Sequence, residues 1–222
     1  RDLHSFPTRR SSDLRPTADF ITPSAAYGLL LNVAGIEMHE VSDKHPMTLV
    51  RCGLPRFRLA LGALGDMPGQ HTVYQQLHNY PVGNSGQARE ESAKGSKYNI
   101  TPVRRAFLSD MRAYLCMNGN PEVETKILAG LAGKTARAYG LPFLGDSNFL
   151  LDRLEPVVPA DIRPARWLAR IAPETEGHWG SSVTRLTIAI DRANMSQTTS
   201  ALFVPSELTT DIPAAAWTEV GY

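Results

Sequence analysis

The clearest structural signal in the sequence is FITPSAAYGLLLNVAG, residues 20–35. Thr22 is a favourable N-cap residue, Pro23 suits the first helical position, and Gly35 can end a helix in the left-handed conformation. Apolar residues recur at helical spacing and are expected to face a core: Ala25, Ala26, Leu29, Leu30 and Val33. The stretch therefore predicts a helix that packs on a core.

Downstream of this helix the sequence predicts several strands. Residues 47–64 mix apolar residues with arginines and are divided by Pro55, which is typical of a strand, a bend and a second strand. Residues 71–82 alternate loosely and predict another strand, whereas residues 83–98 are polar and rich in Gly and Ser, which favours an exposed loop. Turn residues bracket residues 100–117, so we interpret this segment as a strand pair rather than a helix.

The second half of the chain continues the mixed pattern. Pro121 precedes apolar positions at helical spacing, which predicts a helix over residues 121–138. Residues 140–154 are expected to form a loop with aromatic anchors. Further strands are expected at residues 163–171, 183–190 and 200–204. Because strands and helices do not alternate regularly, this order predicts an α+β fold.

The composition is that of an ordinary globular protein. Of the 222 residues, 42% are hydrophobic, and 23 Lys and Arg stand against 22 Asp and Glu. These values exclude a disordered chain and a strongly basic, histone-like nucleic-acid binder, and the sequence has no apolar run long enough to span a membrane. Two cysteines, Cys52 and Cys116, argue against a disulfide scaffold and are typical of a reducing cytoplasm. No His or Cys spacing matches a metal site, so neither a metal nor a cofactor is expected.

The triplet Gly133-Lys134-Thr135 resembles the end of a phosphate-binding loop. That motif requires a glycine at position 128, where this sequence has Leu128. The triplet also lies within a predicted helix rather than after a strand. We therefore interpret it as part of a packed helix and exclude an NTPase.

The first fourteen residues, RDLHSFPTRRSSDL, differ from the rest of the chain. They show no helical or strand periodicity and no signal-peptide pattern, and they match an in-frame translation of a common short-read sequencing adapter. We expect residues 1–14 to be an adapter-derived artefact outside the fold, with the native N-terminal sequence lost upstream of Arg15. The remaining 208 residues carry no net charge.

Basic residues concentrate between positions 84 and 118, where the local net charge is +3. Glycines, serines and aromatic side chains surround them. Such a cationic, flexible segment suits single-stranded RNA, because phosphates bind cations and bases stack on aromatic rings. A solvated surface loop would have a similar composition, so both interpretations remain open. The cations are Arg89, Lys94, Lys97, Arg104, Arg105 and Arg112.

A second group of residues could supply acid–base chemistry. RNA cleavage needs only a positioned base and acid around a ribose 2′-hydroxyl, and His71, His78, Tyr80, Lys97 and Tyr98 are suitable types. Each of them could equally be a partly buried polar residue on a sheet.

Three stretches resemble one family of CRISPR-associated proteins. They are FITPSAAYGLLLNVAGIE at residues 20–37, ITPVRRAFLSDMRAYL at residues 100–115, and YGLPFLGDSNFLLDRLE at residues 139–155. In this order they resemble the Cas-five family, RAMP-superfamily subunits of type I (Cascade) surveillance complexes.

The resemblance implies a ferredoxin-like, RRM-type palm with an extended β-hairpin thumb. The family usually begins with a strand where the adapter-like segment stands here, so the first strand is expected to be missing or replaced. Residues 15–222 would then form one RAMP-type domain with a C-terminal strand-rich extension. The implied function is cytoplasmic antiviral defence. The subunit would hold the 5′ handle of the crRNA and contact the Cascade backbone subunit and large subunit, without a membrane partner.

The same resemblance suggests which residues contact RNA. The hydroxyls of Thr22 and Ser24, with the free N–H groups at the helix start, would bind a phosphate. Four cations would hold the handle backbone and one tyrosine would stack on a base: Lys94, Lys97, Arg104, Arg105 and Tyr98.

One branch of the family cleaves pre-crRNA without a metal, using Tyr, Lys and His side chains. In this sequence the alternative catalytic set is Lys97, Tyr98 and His78, although no His adjoins the Lys-Tyr pair. We therefore favour a non-catalytic subunit over a metal-independent endoribonuclease.

Overall fold

The computed structural model describes residues 14–40, 48–78, 100–137, 141–145, 150–171 and 183–222, with backbone only at 14, 76–78 and 100–102. Within these ranges two α-helices accompany mainly antiparallel sheets, which confirms the α+β prediction. The helices are α1 (Pro23–Val33) and α2 (Pro121–Leu131). The strands are β1 (Leu14–Arg15), β2 (His39–Glu40), β3 (Leu49–Val50), β4 (Phe57–Ala63), β5 (Gly69–His78), β6 (Ile100–Ser109), β7 (Ala113–Asn118), β8 (Ala165–Ile171), β9 (Thr184–Ala189), β10 (Thr199–Thr209) and β11 (Thr218–Val220).

Helix α1 begins and ends as its sequence predicts. The Thr22 hydroxyl accepts a hydrogen bond from the Ala25 backbone N–H (3.2 Å), and Pro23 occupies the first helical position. At the other end Gly35 has φ +71°, and its N–H donates to the Asn32 carbonyl while the Ile36 N–H donates to Leu31. These two bonds form a Schellman motif, which only a residue at positive φ closes without strain.

The main sheet has six strands and packs against both helices. Its order is β11-β4-β8-β10-β9, with β7 on the other edge of β4. The sheet curls so that β9 contacts β11, and the Ile190 N–H donates to the Tyr222 hydroxyl (2.8 Å) between the two ends. Thr184 at the start of β9 donates to the Asp19 carboxylate (2.8 Å), which fixes the segment that leads into α1.

Two hydrophobic clusters lie on opposite faces of this sheet because side chains alternate along each strand. The larger cluster joins α1 and α2 to the sheet and includes Tyr27, Leu59 and Phe203, all buried. The smaller cluster surrounds Trp167 on the other face, where the 3-10 turn Ala214–Ala216 covers it. Helix α1 is apolar on almost all sides, as expected for a helix enclosed by its neighbours.

A long β-hairpin, which we call the arm, continues from strands β4 and β7 of the main sheet. Strands β4 and β7 pair from Arg58↔Asn118 to Ala63↔Ala113, and β5 and β6 continue the ladder from Gly69↔Ser109 to His78↔Ile100. The Leu64 N–H donates to the Arg112 carbonyl (2.8 Å) across the junction. The arm therefore consists of β5 and β6. At ~3.3 Å per residue its ten paired residues extend about 33 Å.

The structure corrects the predicted pairing within residues 100–117. Both predicted strands exist, but β6 pairs with β5 and β7 pairs with β4, so the two do not pair with each other. Asp110, at φ +54°, lies in the short turn between them. At this turn the chain therefore passes from the arm into the main sheet. In a hairpin, β7 would instead pair with β6.

Helix α2 ends at Leu131, seven residues before the predicted end. The Gly133 N–H donates to the Gly130 carbonyl and the Lys134 N–H donates to Ala129, which forms a second Schellman motif. Gly133 has φ +71°. The triplet 133–135 is thus the C-terminal cap of α2 and lies outside the helix, so its predicted position within the helix is wrong.

The other predicted strands are present with shifted ends, and three short strands were missed. Strand β10 continues five residues beyond the predicted end, to Thr209. The missed strands are β1, β2 and β11, whereas β3 is the shortened first strand predicted before Pro55. Of the adapter-like segment only Leu14 lies in the described ranges, where it pairs in parallel with Arg104. The exclusion of residues 1–14 from the fold stays a prediction.

Candidate nucleic-acid interface

The solvent-facing side of the arm carries an aromatic ring beside a cation. Tyr74 on β5 lies directly opposite Arg104 on β6, so their side chains share one face of the hairpin. Tyr74 is 69% exposed and Arg104 is also exposed. Within the part of the chain that the structure describes, neither side chain has a hydrogen bond or an ion pair. An exposed ring and a free guanidinium at this spacing can bind a base and its phosphate.

Arg105 points to the opposite face of the arm, although the sequence grouped it with Arg104. Its guanidinium donates to the Gln75 side-chain oxygen (3.3 Å), and neighbouring Val103 is buried. Strand β1 pairs with the outer edge of β6 and places Arg15 beside Arg105. Among the described residues the arm therefore presents cations on both faces, and the Tyr74 face combines an unpaired cation with an exposed tyrosine ring.

The remaining predicted residues of this region lie outside what the structure describes. Lys94, Lys97 and Tyr98 fall in the undescribed segment 79–99, and only the backbone of His78 is described. The alternative catalytic set therefore stays a prediction. The sequence analysis did not identify Tyr74. A signal was available, because side chains alternate along the predicted strand: if Val73 and Gln75 lie on one face, Tyr74 lies on the other.

Thr22 and Ser24 lie away from the arm, at the start of α1. The two hydroxyls are 3.0 Å apart, and that of Thr22 also caps the helix. Ser24 is only 8% exposed. Both residues line a cleft of about 870 Å³, whereas Arg104 and Arg105 do not. The structure thus separates the predicted RNA contacts into two places, the arm and this cleft.

The cleft, which we call the α1 cleft, is enclosed by three elements. One wall is helix α1, a second is the chain from Ile36 to His39 with Val50, and a third is formed by Leu141, Phe143 and Leu150. Tyr222 and Arg192 also line the cleft. Most of the lining is apolar, as is typical of small-ligand sites.

Among the described residues no metal centre is found, and few side chains have a shifted pKa. Among them no three His, Cys, Asp or Glu side chains lie close enough to hold a metal ion. Burial, together with the nearby Tyr222, raises the pKa of Tyr27, and burial raises the pKa of the Cys116 thiol to about 11. Neither α-helix of the described ranges has the length and apolarity needed to cross a membrane.

Comparisons with known proteins point to one family. The model of the family described as "CRISPR-associated protein (Cas_Cas5)" matches residues 2–194, a range that includes most of the adapter-like segment. A solved chain titled "CRISPR RNA-guided surveillance complex" is similar at 12% identity and a TM-score of 0.49, covering 92% of this chain and 88% of its own. No curated protein matches the sequence. Because the family model covers most of the chain, the resemblance found in the sequence is confirmed: the chain belongs to the CRISPR-associated Cas-five family.

Proposed function

We propose that this chain is an RNA-binding structural subunit of a type I CRISPR surveillance complex, and that it holds the 5′ handle of the crRNA. Membership of the Cas-five family supports a role in CRISPR defence. The observation that carries RNA binding is the pairing of Tyr74 with Arg104 on the exposed face of the arm. The crRNA, the backbone subunit and the large subunit are its proposed partners, in the cytoplasm.

We also propose an assignment of the parts of the fold, based on the same family membership. We assign the arm as the thumb of a RAMP subunit, and residues 15–222 as one domain with a ferredoxin-like palm and a C-terminal strand-rich extension. Helices α1 and α2 pack on the same side of β4 and β7, which agrees with such a palm. The β8–β11 strands would be the extension.

On the arm, Arg104 binds a phosphate and Tyr74 stacks on the adjoining base. An aromatic ring contributes about 1–3 kcal/mol per stacked base, and each neutralised phosphate contributes about 0.7 to the salt slope for a single strand. Lys94, Lys97 and Tyr98, which lie in the undescribed segment 79–99, would add contacts to the same RNA, and Arg105 would contact RNA from the other face. Thr22 and Ser24 would act separately, at the α1 cleft.

The test is the affinity of the full chain for repeat RNA transcribed from the array that accompanies its gene. Tyr74→Ala is expected to weaken binding about 5- to 150-fold, the range given by loss of one stacked base. Arg104→Ala is expected to weaken binding and to reduce the slope of log K against log salt by about 0.7. Arg153→Ala is the matched control, because Arg153 is an exposed arginine that is not part of β5 or β6 and lies beside Glu155 (3.8 Å).

Unchanged affinity in both arm variants would contradict the proposal. The same samples, incubated in EDTA, test the alternative of a metal-independent endoribonuclease. Site-specific cleavage that disappears in Lys97→Ala would show that the chain is an enzyme and that the non-catalytic assignment is wrong.

A further inference from the structure

Strand β5 has the longest unpaired edge in the described part of the chain, which we call the β5 edge. The strand ends the order β1-β6-β5, and no described strand pairs with its other side. It pairs with β6 along its whole length without a bulge. Gln70, His71 and Thr72 are exposed. Alternate residues therefore present backbone N–H and C=O groups outward along about 33 Å.

The β5 edge lacks the features that protect outer strands from pairing. Its sequence, GQHTVYQQLH, contains no Asp, Glu, Lys, Arg or Pro. Natural outer strands are usually short, or carry charged residues, proline or a bulge, because an open edge can pair with another extended chain. Strand β6 has such features, since it contains Pro102 and two arginines and β1 pairs with its outer edge. The outer strand β9 has an exposed arginine, Arg185. The uncharged β5 edge is therefore suited to binding another strand.

A second β5 strand fits this edge in the antiparallel orientation. Two identical antiparallel strands are related by a two-fold axis perpendicular to the sheet. Residues directly opposite each other share a face, and side chains alternate along a strand. A residue can therefore lie opposite itself or opposite a residue an even number of positions away. The longest overlaps that meet this condition join residues 69–77 or residues 70–78 of both copies.

The overlap of residues 69–77 places similar side chains opposite each other. Val73 then faces Val73 of the second copy at the two-fold axis, and Thr72 faces Tyr74 on each side of it. Pairs of β-branched and aromatic residues stabilise neighbouring strands, and no like charges are opposed. The other overlap would place Val73 opposite Gln75 and would lose both kinds of pair. The side chains therefore favour the first register.

From these features we propose that two copies of this chain associate through their β5 edges, antiparallel and with Val73 at the two-fold axis. The two three-stranded sheets then form one continuous sheet across both arms. Because the axis is perpendicular to that sheet, Tyr74 and Arg104 of both copies lie on the same face, which stays open. The association covers the backbone groups through which edge strands aggregate. It concerns the chain without RNA and does not depend on the proposed function.

The test is the mass of the full chain without RNA, measured by light scattering between about 1 µM and about 1 mM, the range of weak association. The wild type is expected to rise from the monomer mass towards twice that mass. Val73→Lys and Val73→Glu each place like charges opposite each other at the axis and should weaken dimerisation about 5-fold. An equal mixture of the two variants should restore it, because opposite charges then face each other.

The mixture also controls for effects within one copy. Arg105 lies opposite Val73 on β6 and meets the new charge in every copy, so restoration on mixing cannot come from that contact. Thr187→Lys is the matched control, because Thr187 is half-buried on the outer strand β9. This variant should dimerise as the wild type does.

Cross-linking tests the register and does not require a charge at position 73. In a Cys52→Ser background, which removes the exposed thiol, Val73→Cys should form a disulfide between two copies under a mild oxidant. Opposite residues lie about 4.5–5.5 Å apart, within the reach of a disulfide. Thr72→Cys should not cross-link, because its counterpart lies on the diagonal at about 7–8 Å.

Three results would overturn the inference. They are a wild type that stays monomeric up to about 1 mM, dimerisation that is unchanged in both charged Val73 variants, and a Val73→Cys chain that cross-links no better than Thr72→Cys. None of these results bears on RNA binding, which the affinities of Tyr74→Ala and Arg104→Ala decide separately.

Discussion

Replacing Gly130 by alanine tests the contact that joins the two helices. Gly130 of α2 lies against the end of α1, and a Cβ built on it would overlap the Val33 carbonyl oxygen and lie 2.8 Å from the carbonyl carbon. Because carbon–carbon contacts are optimal at ~3.5–4.0 Å, the helices would have to separate by about 1 Å. The obstructing atoms are backbone, so no side-chain rotation can relieve the overlap.

The expected sign is opposite to that of helix propensity. Alanine is about 0.8–1 kcal/mol more favourable than glycine inside a helix, whereas overpacking costs about 1–3 kcal/mol. With a rigid obstacle the overlap should prevail, giving a net loss of about 1–2 kcal/mol. For a chain of this size that corresponds to a fall in Tm of about 2–8 °C. The assay is urea unfolding of the full chain, compared at unchanged m-value.

Gly28→Ala is the matched control, because it is the same substitution in the other helix. A Cβ on Gly28 would lie 3.3 Å from the Met38 sulfur, at the end of a flexible side chain that can move. This variant should be as stable as the wild type or up to about 1 kcal/mol more stable. Equal or greater stability of Gly130→Ala would refute the close helix contact.

Three other predictions concern stability and reactivity. Gly62→Ala would place a Cβ 2.7 Å from the ring of buried Trp167, so urea unfolding should show a loss of about 1–3 kcal/mol; an unchanged midpoint would contradict this packing. Thr22→Ala removes the cap of α1 and should cost about 1 kcal/mol in the same assay, most of it recovered by serine; no loss would mean that the hydroxyl does not cap the helix. At pH 8 a disulfide reagent should modify exposed Cys52 quickly. Cys116 should react only on unfolding or as the pH approaches the raised pKa of about 11, because reaction needs the thiolate; two fast equivalents would contradict this difference.

The elements that the sequence predicts best are those with local signals. Helix α1 has its cap, its proline and its closing glycine within sixteen residues, and each acts as predicted. The end of α2 was placed too late because apolar spacing continues past Leu131, whereas the chain stops at the left-handed Gly133. The glycine was visible in the sequence, but only its conformation distinguishes a cap from a helical residue.

Strand pairing and the candidate site depend on contacts between distant residues. The sequence contains both β6 and β7, but it does not say that they pair with different strands, since register follows from the tertiary fold. The short strands β2 and β11 have only two and three residues, too few for a periodic signal, and they form by pairing with β3 and β4. Arg104 was predicted as an RNA contact, while its neighbour Tyr74 emerges only once β5 and β6 are placed side by side.

Ultraviolet cross-linking of the chain to crRNA, followed by mass spectrometry of the cross-linked peptides, tests the central claim most directly. Residues 69–78 should carry a nucleotide adduct at Tyr74, because an exposed ring stacked on a base is in contact with it. Tyr74→Ala should remove that adduct and leave adducts elsewhere in place. Efficient cross-linking of the chain with no adduct in 69–78 or 100–109, the two strands of the arm, would contradict the claim that the arm holds the RNA.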